Sequence, residues 1–470
     1  MKLTALLCAL CCCVGWACAQ EPQGHFGGAI QTPQGELPII FHFSHPSGAP
    51  IHTMDSPTQG VSGFPIQKVS YSNDGNFSLQ IPQIGFTYRG IVRNDSLIEG
   101  SVTQNGHTLP LTLRRIEWKD SVAFRPGTPE PPYPYREEEV VVRTADSTTL
   151  AGTLVVPEGE GPFPALLFIT GSGAQDRNEE MWNYQPFFMI ADHLARQGFA
   201  TLRMDDRGTG KSGGSYAGTT LQSAAADAEC ALDYLRQRPE TAPGRTGLIG
   251  HSMGGTIAFR IAARRPQDVA CVVALAGATQ KGKDWMMEQC EKSVLQLLPP
   301  ATGDSLRRSY AGLYDALSHP LPPDSARERC LPYMLDIWQR LDIFPEELRE
   351  DLPESRRMDN ARFLLRSAIT PEFASLVQYD PTDDLKRTSC PVWAAYGEKD
   401  MQVIPERNLQ AIEAHTKGNP HVTTRVYPGL NHLFLPARTG LPTEYPELKG
   451  NFSPQVLQDM AEWLKRNINL

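Results

Sequence analysis

Residues 247–255 place a serine among small residues at the junction of two kinds of element. The segment reads Gly-Leu-Ile-Gly-His-Ser-Met-Gly-Gly, and a helix-forming segment follows over 256–263. A Gly-x-Ser-x-Gly run between a strand and a helix predicts a strained turn that lifts the serine hydroxyl to the end of a sheet. The helix N-terminus behind the serine favours developing negative charge. We therefore predict that Ser252 is a nucleophile.

A serine hydroxyl is a weak nucleophile at neutral pH, so it needs a base that a third group orients. After a nucleophile in this kind of turn, the acid and then the histidine follow along the chain. Asp400 follows the predicted strand 392–396, and His432 follows the predicted strand 423–427. We expect Asp400 to hold His432 in its tautomer while His432 takes the proton of Ser252. Other acids and bases near these strands stay open as alternatives: Glu398, Asp383, Asp384, His415 and His421.

The oxyanion formed by attack on a carbonyl needs preorganised hydrogen-bond donors. We expect one donor to be the backbone N–H of Met253, the residue after the nucleophile. The second should come from the loop 170–173, Thr-Gly-Ser-Gly, which follows the predicted strand 166–169. Its glycines let the backbone approach a substrate closely. We assign the second donor to Ser172 N–H, with Gly173 as the neighbouring alternative.

Buried strands that alternate with helices are the elements that must position these residues. Strands are predicted over 139–143, 150–157, 165–169, 200–204, 246–249, 269–275, 392–396 and 423–427. Helices are predicted over 184–197, 220–238, 252–265 and 453–467. Apolar strands separated by helices indicate a mostly parallel sheet covered on both faces, with its active site at the carboxyl ends of the strands.

Residues 280–370 lack strand patterns and carry Leu, Met, Arg and Glu at helical spacing. Because this segment falls between two predicted strands, we expect a helical cap insertion over the strand ends. Several of its apolar side chains could line an acyl site or serve only in packing: Trp285, Met286, Met287, Tyr310, Tyr314 and Trp338.

The amino-terminal part of the chain has a different pattern. Residues 24–124 alternate apolar and polar positions between turn signals, which predicts a small antiparallel β domain over 20–124 that closes into a barrel or sandwich. The segment 125–136 is rich in proline and is expected to be an extended linker. Residues 137–470 then form the domain with the parallel sheet. The histidines of the β domain show no metal-ligand spacing.

From Gly250-His251-Ser252-Met253-Gly254, residues 137–470 are identified as similar to the α/β-hydrolase fold enzymes. The segments 169–177 and 205–212 resemble those of bacterial secreted esterases related to dienelactone hydrolases and acyl peptidases. The resemblance implies hydrolysis of carboxylic esters without a cofactor. In this chain Thr170-Gly171 replaces the His-Gly that is usual in the oxyanion loop.

Composition and motifs argue against several other functions. A formal net charge of −9 and a pI near 5.7 are unlike those of a nucleic-acid binder. The run Gly208-Thr209-Gly210-Lys211-Ser212 resembles a phosphate-binding loop, but the glycine that such a loop requires is replaced by Asp205. Residues 208–213 also match Gly-x-Gly-x-x-Gly, although the adjoining acidic and basic residues suit a tight ion-paired loop better than a dinucleotide site. No His-Glu-x-x-His or comparable metal pattern is present in the sequence.

The first 19 residues have the pattern of a secretory signal peptide. Lys2 precedes an apolar run over 3–16, and Ala17-Cys18-Ala19 suits cleavage before Gln20. We therefore expect a secreted or periplasmic protein with no stable membrane span; a lipoprotein ranks second, since no cysteine here has the preceding residues expected for lipidation. Five cysteines remain after cleavage, of which Cys290 and Cys330 could pair in an oxidising compartment.

Together these features predict a serine esterase that acts on a small-molecule ester through an acyl-enzyme. A peptidase or thioesterase with the same triad is the first alternative. A catalytically inactive binding or scaffold protein is an alternative of another class. The sequence does not define the acyl or alcohol group, the oligomeric state or the role of the β domain.

Overall fold

The computed structural model describes residues 22–117, apart from 33–34, 45–50, 57–60, 67, 73, 82–83 and 105–106. It further describes residues 128–468, apart from 183, 320–321 and 342–352. The predicted signal peptide therefore lies outside the described residues. The chain divides into two units, the first ending at Ala123 and the second beginning at Phe124. No helix within the described ranges is long and apolar enough to cross a membrane.

The first unit is a nine-stranded antiparallel sheet. Its strands are β1 (Gly24–Thr32), β2 (Gly35–Ser44), β3 (Ile51–Ser56), β4 (Val61–Pro65), β5 (Lys68–Tyr71), β6 (Asn76–Ile81), β7 (Phe86–Asn94), β8 (Leu97–Gln104) and β9 (His107–Arg115). The strand order is β4-β3-β2-β1-β9-β8-β7-β6-β5, so the first strand, β1, pairs with the last, β9. In β6, Phe77, Leu79 and Ile81 are buried while the residues between them are not, as period-two alternation predicts.

The second unit contains an eight-stranded sheet of order β10-β11-β13-β12-β14-β15-β16-β17. Its strands are β10 (Tyr135–Arg143), β11 (Thr149–Pro157), β12 (Phe163–Ile169), β13 (Ala200–Met204), β14 (Thr241–His251), β15 (Val272–Leu275), β16 (Val392–Gly397) and β17 (Val422–Tyr427). The first two strands are antiparallel additions, and the six from β13 to β17 are parallel. Strand β10 begins two residues inside the segment predicted as linker.

The chain leaves β12 toward β13 on one side and returns to β14 on the other side. This reversal of strand order opens a crevice at the carboxyl ends of β12 and β14, where ligands of such sheets bind. The helices packed on the sheet are α1 (Pro186–Ala195), α2 (Leu221–Arg236), α3 (Met253–Arg264), α9 (Thr382–Arg387), α10 (Pro405–His415) and α11 (Pro454–Asn467). Nearly every residue of α3 is buried, because this helix lies under the sheet directly behind the crevice.

A helical insertion separates β15 from β16. It contains α4 (Gly282–Ser293), α5 (Pro300–Ser318), α6 (Pro323–Arg340), α7 (Glu354–Ala368) and α8 (Pro371–Gln378). Short 3-10 helices lie at Leu295–Leu297 and, beyond β17, at Pro442–Glu447. The predicted fold class is confirmed: an α/β-hydrolase sheet with a helical cap insertion, preceded by a small all-β domain. The last of these helices, α8, begins at Pro371 and so lies beyond residue 370, where the predicted cap ends.

Candidate active site

Ser252 occupies a strained turn between β14 and α3. Its backbone has φ 53° and ψ −120°, a conformation that costs a non-glycine residue about 1–3 kcal/mol. The flanking glycines are sterically required, because a Cβ on Gly250 would lie 2.1 Å from Gly254 O. A Cβ on Gly254 would lie 2.0 Å from Ile169 O. The turn is therefore wedged against the end of β12, and it presents the serine at the crevice.

The structure brings Asp400 and His432 into direct contact. His432 Nδ1 lies 2.8 Å from Asp400 Oδ2, and the two residues are 4% and 1% exposed. The other carboxylate oxygen, Oδ1, accepts hydrogen bonds of 2.8 Å from the backbone N–H groups of Gln402 and Val403. Asp400 is thus fixed in orientation, and its contact directs the Nδ1 proton of His432 toward the carboxylate. The Nε2 atom is left to act as a base.

The alternative acids and bases lie elsewhere. Glu398 is exposed and accepts a hydrogen bond from Gly429 N–H. Asp383 and Asp384 belong to α9, before the amino end of β16, and Asp384 contacts Arg387 and the hydroxyl of Tyr379. Two histidines also precede the catalytic end of β17: His415, which ends α10, and His421, which is exposed. None of these residues is in contact with His432 in the described part of the chain.

The turn that carries Ser252 contacts this pair through the residue before the serine. The ring of the preceding residue, His251, has its centroid 4.8 Å from that of His432, and His251 Nε2 contacts His432 O at 3.0 Å. The serine hydroxyl itself makes no hydrogen bond to a described side chain. Proton transfer from Ser252 to His432 therefore stays a prediction.

The loop that follows β12 lies against the nucleophile. A Cβ on Gly171 would be 3.4 Å from the Cβ of Ser252. Gly171 N–H donates to Glu179 and Gly173 N–H donates to Glu372, the latter over 3.1 Å. Between them, Ser172 N–H has no acceptor among the described residues, nor has Met253 N–H. Of the two predicted candidates for the second oxyanion donor, Ser172 is the one whose N–H is available.

A network of charged side chains supports this loop from below. Arg177 binds Asp205 through two guanidinium nitrogens, at 2.9 and 2.7 Å, and Asp205 also accepts Arg177 N–H. Asp206 accepts hydrogen bonds from the Thr170 hydroxyl at 2.7 Å and from Gln175 N–H at 2.9 Å. The glycine-rich segment after β13 therefore forms a tight, ion-paired support for the oxyanion loop.

The carboxyl group of Asp206, in this support, has a shifted pKa. Burial, with smaller contributions from the Glu179 and Glu372 carboxylates, raises the pKa of Asp206 to about 8. Glu372, from the cap helix α8, also accepts a hydrogen bond from the Tyr216 hydroxyl. Sequence reasoning missed Glu179 and Glu372. The three acidic residues within 176–180 are the only signal for the first, and acidic residues in a polar segment more often belong to a solvated surface.

The cap contacts the loop that carries Asp400. Trp285 Nε1 donates to Gln402 O at 2.8 Å, and the Ser293 hydroxyl donates to Met401 O at 2.7 Å. Trp285 thus packs against the acid loop, and Tyr314 and Trp338 are also mostly buried within the core. In this structure Trp285, Tyr314 and Trp338 are therefore buried against their neighbours.

Two further expectations can be compared with the structure. Cys290 and Cys330, which could pair in an oxidising compartment, are both free thiols, as are the other cysteines in the described ranges. Burial raises the pKa of the Cys290 thiol to about 12, which keeps it protonated. Among the described residues, no group of histidine, cysteine and carboxylate side chains is arranged to hold a metal ion.

The chain is similar in sequence and fold to known hydrolases. The sequence model of the family described as serine aminopeptidase, S33, matches residues 176–436. Esterase EstD of Thermotoga maritima is 24% identical over 340 residues, which cover 71% of this chain and 68% of that protein. Carboxymethylenebutenolidase of Pseudomonas putida is 28% identical over 134 residues, or 27% of this chain and 56% of that protein. The Pyrococcus furiosus esterase Pf2001 has 18% identity and a TM-score of 0.41, covering 71% of this chain and 94% of that structure.

Proposed function

The chain belongs to the serine aminopeptidase S33 family, and we propose that it cleaves carboxylic esters through an acyl-enzyme formed on Ser252. Membership of this family makes it a hydrolase. The observation that carries the finer proposal is the buried pair of His432 and Asp400 beside a serine held at φ 53°. This pairing supplies the oriented base that a serine needs for nucleophilic attack.

The proposed reaction has two halves. Ser252 Oγ attacks the ester carbonyl and gives its proton to His432 Nε2, while Asp400 stabilises the imidazolium. The oxyanion is held by the N–H groups of Met253 and Ser172. The tetrahedral intermediate collapses, the C–O bond to the alcohol breaks, and His432 returns the proton to the leaving alkoxide. Water, deprotonated by His432, then attacks the acyl-enzyme. The bond between the acyl carbon and Ser252 Oγ breaks, the acid leaves, and His432 returns the proton to Ser252 Oγ.

Esters are the substrate class favoured here because EstD, the relative aligned over most of this chain, is named an esterase. The family description keeps aminoacyl amides as a second candidate, since the same triad can attack them. An amine is a poorer leaving group than an alcohol, so the two classes differ measurably in rate. A disused hydrolase that serves as a scaffold would retain the fold and show no turnover.

A substrate panel tests the proposal. Purified protein is assayed with p-nitrophenyl esters of increasing acyl length, a matched thioester series and aminoacyl p-nitroanilides. We expect ester hydrolysis that Ser252→Ala abolishes without loss of folding, and that Ser318→Ala, a variant at a half-buried serine of the cap, leaves unchanged. Higher kcat/KM for the aminoacyl amides would assign a peptidase instead. Near-normal ester turnover by the Ser252→Ala protein would refute the role of this residue.

We further propose export of the protein, from the signal-like pattern of residues 1–19. The expected result is a mature chain that starts at Gln20 and fractionates with the periplasm or medium. Amino-terminal sequencing of the protein from its natural host checks this. A mature chain that starts at a lipidated cysteine would favour the lipoprotein alternative.

A further inference from the structure

A series of buried polar contacts links the three loops that carry the catalytic groups. Gly171 N–H, in the oxyanion loop, donates to Glu179 Oε1. The other oxygen of Glu179 lies 2.9 Å from Nδ1 of His251, in the nucleophile turn. His251 Nε2 in turn contacts the carbonyl oxygen of His432 at 3.0 Å. Glu179 and His251 are 1% and 7% exposed, so water does not compete for these contacts.

The protons carried by His251 and Glu179 follow from the atoms that these two side chains contact. A carbonyl oxygen only accepts, so His251 Nε2 must carry a hydrogen to bond His432 O. The contact between His251 Nδ1 and Glu179 needs one more proton, which is shared as an imidazolium–carboxylate pair. Burial opposes the charged imidazole, but the Glu179 carboxylate outweighs it and raises the pKa of His251 above its ordinary value of 6.5.

The loop around Glu179 is built to project this side chain inward. Asp176 Oδ1 accepts the N–H groups of Asn178 at 3.1 Å and of Glu180 at 2.8 Å, which closes a turn around Glu179. Glu179 itself has φ 50°, a left-handed conformation that is costly for a non-glycine residue. Arg177, anchored on Asp205, fixes the turn to the end of β13.

Stability alone gives a weak reason for such a pair. Buried ion pairs are often no more stabilising than apolar residues of the same volume, because desolvation offsets their attraction. The place of the Glu179–His251 pair between the catalytic loops gives a stronger reason for the pair. Because Glu179 accepts Gly171 N–H, the loop is anchored one residue before Ser172, whose N–H has no acceptor among the described residues.

We propose that Glu179 is a positioning residue that, through Gly171 and His251, sets the oxyanion loop, the nucleophile turn and the His432 loop in register for acylation. Glu179 does not touch the reacting atoms. The inference rests on the proposed function, since it assigns a role within the same site. It predicts that loss of Glu179 slows the chemical step more than it weakens substrate binding.

Three substitutions at this position separate the contacts. Glu179→Ala removes both contacts, and we expect kcat to fall about 100-fold, comparable to loss of one oxyanion donor, with KM changed less than about threefold. Glu179→Gln can still accept Gly171 N–H and can donate to Nδ1 of a neutral His251. We expect it to recover kcat to within about tenfold of wild type. Glu179→Asp is made in parallel in case the alanine variant does not fold. Its shorter side chain retracts the carboxylate, and its kcat should lie between those of the alanine and glutamine variants.

The matched control is Asp384→Ala. Asp384 is also a buried carboxylate, but it contacts Arg387 and Tyr379 before the amino end of β16. This control should lower the thermal unfolding temperature and leave kcat unchanged. If Glu179 has a purely structural role, Glu179→Ala should behave like this control: its unfolding temperature falls and its kcat does not. There would then be no loss of kcat for glutamine to recover.

Amide hydrogen exchange provides a readout that is independent of activity. We expect faster exchange at 170–174 and around His432 in Glu179→Ala, and wild-type exchange there in Asp384→Ala. Wild-type kcat and wild-type exchange in the Glu179→Ala protein would overturn the inference. If the wild-type protein neither hydrolyses esters nor reacts with a fluorophosphonate, the proposed function fails. The exchange data then still decide whether Glu179 links the loops.

Discussion

Replacing Asp400 by asparagine tests the orientation of His432 most sharply. Asp400 Oδ1 accepts two backbone N–H groups, and Oδ2 faces His432 Nδ1. In Asp400→Asn the amide oxygen is expected to stay on the two N–H groups, so the amide NH2 donates to Nδ1. His432 is then held with its proton on Nε2, where it cannot accept the proton of Ser252. The variant keeps its fold and loses its base.

The size of the effect follows from the cost of turning the amide over. Rotation would return an oxygen to His432 but would leave two buried N–H groups facing an NH2. Each unpaired buried donor costs about 1–3 kcal/mol, so rotation costs about 2–6 kcal/mol. At about 1.4 kcal/mol per factor of ten, the competent orientation becomes about 30-fold to about 20,000-fold rarer. We expect kcat to fall by a factor in this range.

The assay is pre-steady-state hydrolysis of a p-nitrophenyl ester, which separates acylation from deacylation. Thermal unfolding is measured on the same samples, and we expect it to change little because both backbone hydrogen bonds persist. Asp384→Asn, an asparagine substitution at a buried carboxylate of α9, is the control and should retain wild-type acylation. An acylation rate in Asp400→Asn within threefold of wild type would refute the proposed role of Asp400.

Two further predictions concern the supports of the site. In Gly254→Ala the new Cβ would lie 2.0 Å from Ile169 O, so we expect the free energy of unfolding to fall by about 1–3 kcal/mol and ester hydrolysis to be lost. A denaturant unfolding curve like that of the wild type would contradict the close packing of the turn against β12. For Asp206, burial raises the pKa from 3.8 to about 8, so the folded state binds the proton more tightly than the unfolded chain. Its contribution to stability is therefore present at low pH and lost as pH rises through this window. Asp206→Asn should flatten the pH dependence of thermal unfolding between pH 4 and 9, and an unchanged slope would contradict the assignment.

The sequence predicted the fold class because its signals are local. Apolar runs of strand length, the glycine pattern around Ser252 and the order of acid and histidine need no knowledge of distant contacts. The sequence predicts Asp400 as the acid from its place after the strand 392–396, and the structure places its carboxylate against His432. Glu398 instead accepts Gly429 N–H at the surface.

The supporting carboxylates could not be predicted in the same way. Glu372 reaches Gly173 N–H across 199 positions of sequence, from a cap helix whose path depends on tertiary packing. Glu179 is near Gly171 in sequence, but its contact with His251 depends on the pairing of β12 with β14. In a sequence, an acidic residue in a polar loop is typical of a solvated surface, so burial is the property that distinguishes these two. Burial of one loop residue has no local signature.

Fluorophosphonate labelling, with the adduct mapped by mass spectrometry, tests the central claim most directly, because it needs no choice of substrate. The account predicts one adduct, on Ser252, that forms in the wild-type protein and is lost in His432→Ala. An adduct at another residue, or no adduct on folded protein that has been given time to react, would contradict the assignment of Ser252 as an activated nucleophile.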